Sequence, residues 1–169
     1  MDLIATERTG FYAPYGFLNR LDAGAADWIG ELAADLAAGK AERFEGGQGV
    51  VVYWRQLAWD SQFFGVPTFR VDYTTWSAQA GYGDIGAAFA ALRAMLAARH
   101  ASFYLFAEVP CEDTGTIAGM GSAAWRLIET RITCYRDNLQ QFDAKARYPV
   151  RSANEGDVAE LREAAVAAV

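Results

Sequence analysis

Apolar residues recur at helical spacing in two long stretches of this chain. Across residues 25–38, Trp28, Ile29, Leu32 and Leu36 fall on one side and Asp27, Glu31 and Asp35 on another, which predicts an amphipathic helix ending near Gly39. Across residues 84–99, Ile85, Phe89, Leu92 and Leu96 keep the same register, and Asp84 stands where a carboxylate caps the first turn and complements its dipole. Strand patterns lie between and after these helices. Val50-Val51-Val52-Tyr53-Trp54 follows the turn Gly46-Gly47-Gln48-Gly49, and its β-branched and aromatic residues suit a buried pleated surface. A second strand is expected at about residues 68–74, joined to the first by a structured connection bounded by Gly65 and Pro67.

Residues 102–109 form a near-continuous apolar run closed by Pro110, the pattern of a strand covered on both faces. A short helix is expected after Glu112, then a long strand at residues 125–135 with a partner at about 138–143. The two ends differ in character. Residues 1–22 are irregular and carry Phe11, Tyr12, Tyr15 and Phe17 around Pro14 and Gly16, an arm that packs by its rings. From Tyr148 a short strand is expected to run into Asn154, an N-cap with Asp157 three residues on, and to open a helix still running at Val169.

Composition narrows the class. Of 169 residues, 53% are hydrophobic and 21% charged, so the chain is globular and has enough apolar surface for a core. The formal net charge of -6, with no Lys/Arg stripe, weighs against nucleic acid as a partner. No apolar stretch is long enough for a membrane span, and no leader pattern opens the chain, so a cytoplasmic location is expected. Cys111 and Cys134 show neither metal-ligand spacing nor a neighbouring base, and read as ordinary thiols. His100, after Arg99 at a helix end, reads as a charge complementing the dipole.

Two motifs carry candidate chemistry. Gly81-Tyr82-Gly83-Asp84-Ile85-Gly86 matches GxGxxG and opens a helix, a dinucleotide fingerprint on paper. The preceding strand ends several residues too early, however, and Asp84 would set a carboxylate beside a pyrophosphate. Trp59-Asp60-Ser61-Gln62-Phe63-Phe64-Gly65 is more specific: three rings can wall a pocket while Asp60 and Ser61 supply oriented polar groups. The same residues also suit a core plug and a capped turn. Arg55, Arg70 and Arg126 are candidates for diphosphate contact or for plain solvation.

The stretch Leu57-Ala58-Trp59-Asp60-Ser61-Gln62-Phe63-Phe64-Gly65-Val66-Pro67 resembles the leading-domain motif Trp-acid-Ser-x-Phe-Phe-Gly of the dTDP-4-amino-4,6-dideoxygalactose (dTDP-fucosamine) N-acetyltransferases. Residues 105–135 look like the last strands of that leading domain. Val150-Arg151-Ser152-Ala153 through Asp157 and Leu161 looks like the first strand and helix of a GCN5-related N-acetyltransferase (GNAT) domain. The resemblance covers about residues 50–169.

It implies acetyl transfer from acetyl-CoA to the amine of a nucleotide-linked amino sugar for cell-surface polysaccharide, by direct attack of the amine on the thioester. It also implies that Trp59, Asp60, Ser61, Phe63 and Phe64 shape the acceptor side. The family's Gln/Arg-x-x-Gly-x-Gly/Ala loop, which holds the coenzyme pyrophosphate, has no match here. Arg43-Phe44-Glu45-Gly46-Gly47-Gln48 comes nearest and precedes a strand instead of a helix. The acetyl-CoA site and the catalytic residues are therefore expected beyond Val169.

The expected fold is α/β, a mixed sheet flanked by helices. An arm and helix over residues 1–45 precede a partial GNAT-like domain over 46–146, and the start of a GNAT domain follows over 147–169. Two other readings stay open: a non-catalytic domain for homodimerisation or docking through the ring-rich arm at residues 11–17, and a dinucleotide-binding domain.

Overall fold

A computed structural model of the chain describes residue 12, residues 28–132 and residues 151–167. The chain divides into two compact units, Met1–Ile128 and Glu129–Val169.

The first unit is a four-stranded mixed sheet with helices on both faces. Helix α1, Trp28–Ala37, is followed by β1, Glu42–Gly47, and β2, Val50–Gln56. Helix α2, Ala58–Phe64, leads to β3, Thr68–Thr75, and helix α3, Tyr82–Arg99, to β4, Tyr104–Ala107. Helix α4, Thr114–Ser122, comes last. The strands lie in chain order, β1-β2-β3-β4. The first three form an antiparallel meander, and α3 carries the chain across so that β4 runs parallel to β3.

Alternation along β2 divides the core. Val50, Val52 and Trp54 face α3 and α4 and pack with Ile85, Phe89, Leu92 and Leu96, all buried. Val51 and Tyr53 face the other way and join Leu32 of α1, Ala41 and Tyr73. The side-chain period of two fixes this partition, since neighbouring residues of a strand point to opposite faces.

Several elements differ from the sequence expectation. Strand β1 went unread because Glu42, Arg43 and Glu45 make it polar, which an outermost strand tolerates. It ends in a run of positive φ at Gly47, Gln48 and Gly49. The connection at 57–67 holds a helix, α2, stopped by Gly65 in the left-handed conformation at φ 69°. Among the described strands β4 is the outermost on its side, and Tyr104 is exposed while Leu105, Phe106 and Ala107 are half-buried, so the strand is less covered than its apolar run suggests. Residues 125–132 form no strand, and Leu127, Ile128 and Ile132 are each more than 80% exposed. Alternation makes a strand only where another strand supplies hydrogen bonds, and no described strand pairs with this segment. The remainder of that expected strand and its partner at 138–143 lie outside the described residues.

In the second unit, residues 151–154 form no strand, and the rest of that expected strand is outside the described residues. Asn154 caps as expected: its side chain accepts from the Gly156 N–H at 2.9 Å, and its own N–H donates to Asp157 at 2.8 Å. A 3-10 turn at Glu155–Asp157 then leads into α5, Val158–Ala167.

Candidate functional site

One irregularity in the sheet lies beside a cleft. Tyr53 of β2 pairs with Tyr73, but the next residue, Trp54, pairs with Val71, so Asp72 is an extra residue in β3. The pairing of β3 with β4 ends close by, at Val71 and Ala107, while β3 continues to Thr75. The cleft of about 340 Å³ beside this point is lined by Asp72, Val71, Arg70, Arg55 and Glu108 from the strands and their ends, by Trp28, Glu31, Leu32 and Asp35 from α1, and by Tyr12.

The bulge places Asp72 between two arginines that are direct cross-strand partners, Arg55 and Arg70. Arg55 Nε donates to Asp72 Oδ2 at 2.5 Å and Arg70 Nε to Asp72 Oδ1 at 2.7 Å. Arg55 Nη1 also donates to Asp35 of α1 at 2.7 Å. Partial burial works against the charge of Arg55, yet hydrogen bonds to Asp72 and Asp35 outweigh it and raise the guanidinium above its ordinary pKa. Two of the three arginines that sequence left between ligand contact and solvation are thus fixed in a cleft. The third, Arg126, is exposed on the segment after α4.

The ring of Tyr12 closes part of the cleft. It meets Tyr73 edge-on at 4.9 Å and Trp28 at 6.0 Å, and its hydroxyl donates to Asp113 at 2.6 Å. Asp113 is 1% exposed and caps α4 by accepting from the Thr116 N–H at 3.1 Å and the Thr116 hydroxyl at 2.9 Å. One carboxylate therefore anchors both the helix start and a residue 101 positions earlier in the chain.

None of the five residues singled out at 59–64 lines this cleft. They lie on α2, beside the N-terminal ends of β3 and β4. Trp59 and Phe63 are 69% and 70% exposed and stacked at 5.3 Å; Phe63 meets Phe64 at 5.1 Å, and Phe64 meets Tyr104 at 5.6 Å. The rings plug no core; they form an exposed ledge. Ser61 is structural: its hydroxyl donates to the Leu57 carbonyl at 2.6 Å and accepts from the Thr68 N–H at 2.9 Å, tying α2 to β3. Asp60 stands in the first turn of α2, where its charge complements the helix dipole.

The glycine motif does open α3, and Asp84 accepts from the Gly81 N–H at 2.8 Å. A carboxylate already holds that amide. Gly86 serves packing, since it abuts Gly119 and Ser122 of α4. His100 ends α3 with its ring 5.3 Å from Phe69, and exposed Cys111 donates to Glu112, which raises its thiol pKa. Among the described residues no group of His, Cys, Asp and Glu could hold a metal ion, and no helix is long and apolar enough to cross a membrane.

The cleft went unread in the sequence because its parts come from positions 12, 28–35, 55, 70–72 and 108. The one local signal was charge inside β-patterned segments, at Arg55, Arg70 and Asp72. Compared with known proteins, the chain matches no family model, and no curated protein or solved structure is significantly similar to it.

Proposed function

We propose that this chain is the leading part of a GNAT-type N-acetyltransferase that moves an acetyl group from acetyl-CoA to the amine of a nucleotide-linked amino sugar. The observation that supports the reading is the antiparallel meander β1-β2-β3 followed by a helical crossover, α3, to the parallel strand β4. That arrangement is compatible with a partial GNAT-like domain.

The start of α3 does not suit the coenzyme. Asp84 occupies the Gly81 amide and would repel a pyrophosphate, and the Gln/Arg-x-x-Gly-x-Gly/Ala loop has no counterpart. In this reading acetyl-CoA is held by a separate GNAT domain, for which the capped helix α5 is the candidate opening. The first unit contributes to the acceptor side, where the ledge of Trp59, Phe63 and Phe64 offers ring faces for stacking a base or sugar.

Coenzyme A release is the decisive assay, run on the protein of the complete reading frame with acetyl-CoA and dTDP-4-amino-4,6-dideoxygalactose. Acceptor-dependent release of the free thiol supports the assignment. Release no faster than without the sugar removes it.

A further inference from the structure

We propose that this chain dimerises by strand exchange, residues 127–132 of each copy pairing with the outer edge of β4 in the other. The inference stands apart from acetyl transfer and rests on two features that a single chain leaves incomplete.

The first is a difference between the two sheet edges. Both β1 and β4 are outermost among the described strands. Strand β1 carries Glu42, Arg43 and Glu45, and charge of this kind keeps an edge from pairing with another chain. Strand β4 consists of Tyr104, Leu105, Phe106 and Ala107 and carries none. Its inner side pairs with β3 in parallel register, and among the described residues no strand meets its outer side. An edge that presents unpaired N–H and C=O groups without a charged guard is a template for one more strand.

The second is the segment after α4. Leu127, Ile128 and Ile132 are each more than 80% exposed, and three large aliphatic side chains so close together exceed the single exposed apolar residues normal on a surface. In an extended chain Ile128, Thr130 and Ile132 fall on one side, and Leu127, Glu129 and Arg131 on the other. The first side is wholly β-branched and suits a pleated surface. On the second, Arg131 Nε donates to Glu129 Oε1 at 2.6 Å, so the two charges satisfy each other. The segment has the sequence of a strand and lacks a partner; β4 has an edge and lacks a strand.

A second copy supplies both at once. Each chain carries one donor segment and one receiving edge, so a two-fold exchange fills both edges and closes the assembly at two. Three aliphatic side chains from each copy, at about 100 Å² apiece, together with an equal area of the surfaces they cover, come to about 1,200 Å², the lower end for a stable dimer. The segment also leaves the core from a fixed root: the Trp125 N–H donates to the Met120 carbonyl at 3.0 Å, and its ring meets Phe89 at 5.3 Å. The residues from there to Ile132 span at most about 25 Å when extended, enough to run along a neighbouring strand.

Sedimentation equilibrium of the 169-residue chain tests this, with a mass of twice 18.4 kDa expected. Ile128→Lys with Ile132→Lys, at positions that lie in solvent in the single chain, is expected to raise the dissociation constant at least about 100-fold. Trp59→Ala with Phe63→Ala, on the other exposed apolar patch, is expected to leave it within about threefold. Hydrogen exchange of the native chain locates the contact: amides of residues 104–107 and 127–132 are expected to exchange at least about tenfold more slowly in the dimer than after dilution to monomer. A native chain that stays monomeric at about 100 μM, a dimer that survives the lysine pair or dissociates with the ring pair, or equal exchange at residues 104–107 before and after dilution would each overturn the proposal.

Discussion

Gly86 of α3 and Gly119 of α4 meet backbone to backbone. A methyl group on Gly86 would fall 2.9 Å from the Gly119 carbonyl oxygen and 2.0 Å from Ser122 Oγ; one on Gly119 would fall 2.8 Å from Ile85 Cβ. Ser122 can turn aside, but the carbonyl cannot. Gly86→Ala is therefore expected to force the helices apart and to cost about 1–3 kcal/mol, the usual penalty of overpacking. Urea denaturation checks this, with Gly83→Ala as the control, because nothing lies within 4 Å of a methyl group there.

Ser61 gives a second prediction, because its hydroxyl both donates and accepts. Ser61→Ala leaves the Thr68 N–H without its partner and frees the Leu57 carbonyl of one bond. A loss of about 1–3 kcal/mol is expected for an orphaned, largely buried donor, measured by thermal or chemical unfolding. No loss would mean that α2 is held to β3 by other contacts.

Trp59 and Phe63 behave oppositely. Both are mostly exposed, so Trp59→Ala and Phe63→Ala should change stability by no more than about 0.5 kcal/mol. If the ledge stacks the acceptor, the same substitutions raise the KM for the nucleotide sugar in the acetyl-transfer assay. A pair of variants with intact stability and an unchanged KM would take the ledge out of the acceptor site.

Asp72 holds both arginines of the cleft. Asp72→Asn leaves Arg55 and Arg70 facing each other across adjacent strands with one neutral partner, and the exposure of Arg70 moderates the cost. A destabilisation of about 1–3 kcal/mol is expected, less than for a fully buried pair. A double-mutant cycle with Arg55→Met measures the coupling directly.

Asp157 gives the pH dependence. Its carboxyl is held below the ordinary aspartate range, first by the Arg151 hydrogen bonds at 2.6 Å and then by the Asn154 N–H. A depressed folded pKa means that its contribution is complete above the ordinary value of about 3.9 and is lost as pH falls through the folded value. The N-terminus of α5 should therefore loosen only in acid. Helical circular dichroism should fall below about pH 4 in the native chain, and Asp157→Asn should lower the helical signal at neutral pH and flatten that dependence.

Local pattern reached some of this molecule directly. Ile85, Phe89, Leu92 and Leu96 announced α3 and are its buried face, because helical spacing puts them on one side whatever they pack against. Val50 to Trp54 announced β2 in the same way, and Asn154 with Asp157 announced the cap of α5 from a purely local geometry. Each of these depends on residues within a few positions of one another.

Pairing and convergence were beyond that reach. The pattern that predicted a strand at Leu127 to Ile132 failed, since a strand exists only if another edge meets its hydrogen bonds. Strand β1 formed despite its charges because β2 lay beside it. The ring motif at Trp59 was legible as a feature and not as a place: only the assembled sheet sets Phe64 against Tyr104, forty residues away, and leaves the cleft to others. Beside the cleft, one extra residue in β3 sets Asp72 between Arg55 and Arg70, and Tyr12 reaches Asp113. Sequence determined which segments bury an apolar face; tertiary structure decided which charges meet, because electrostatic contact depends on distance in space and the groups that meet here are far apart along the chain.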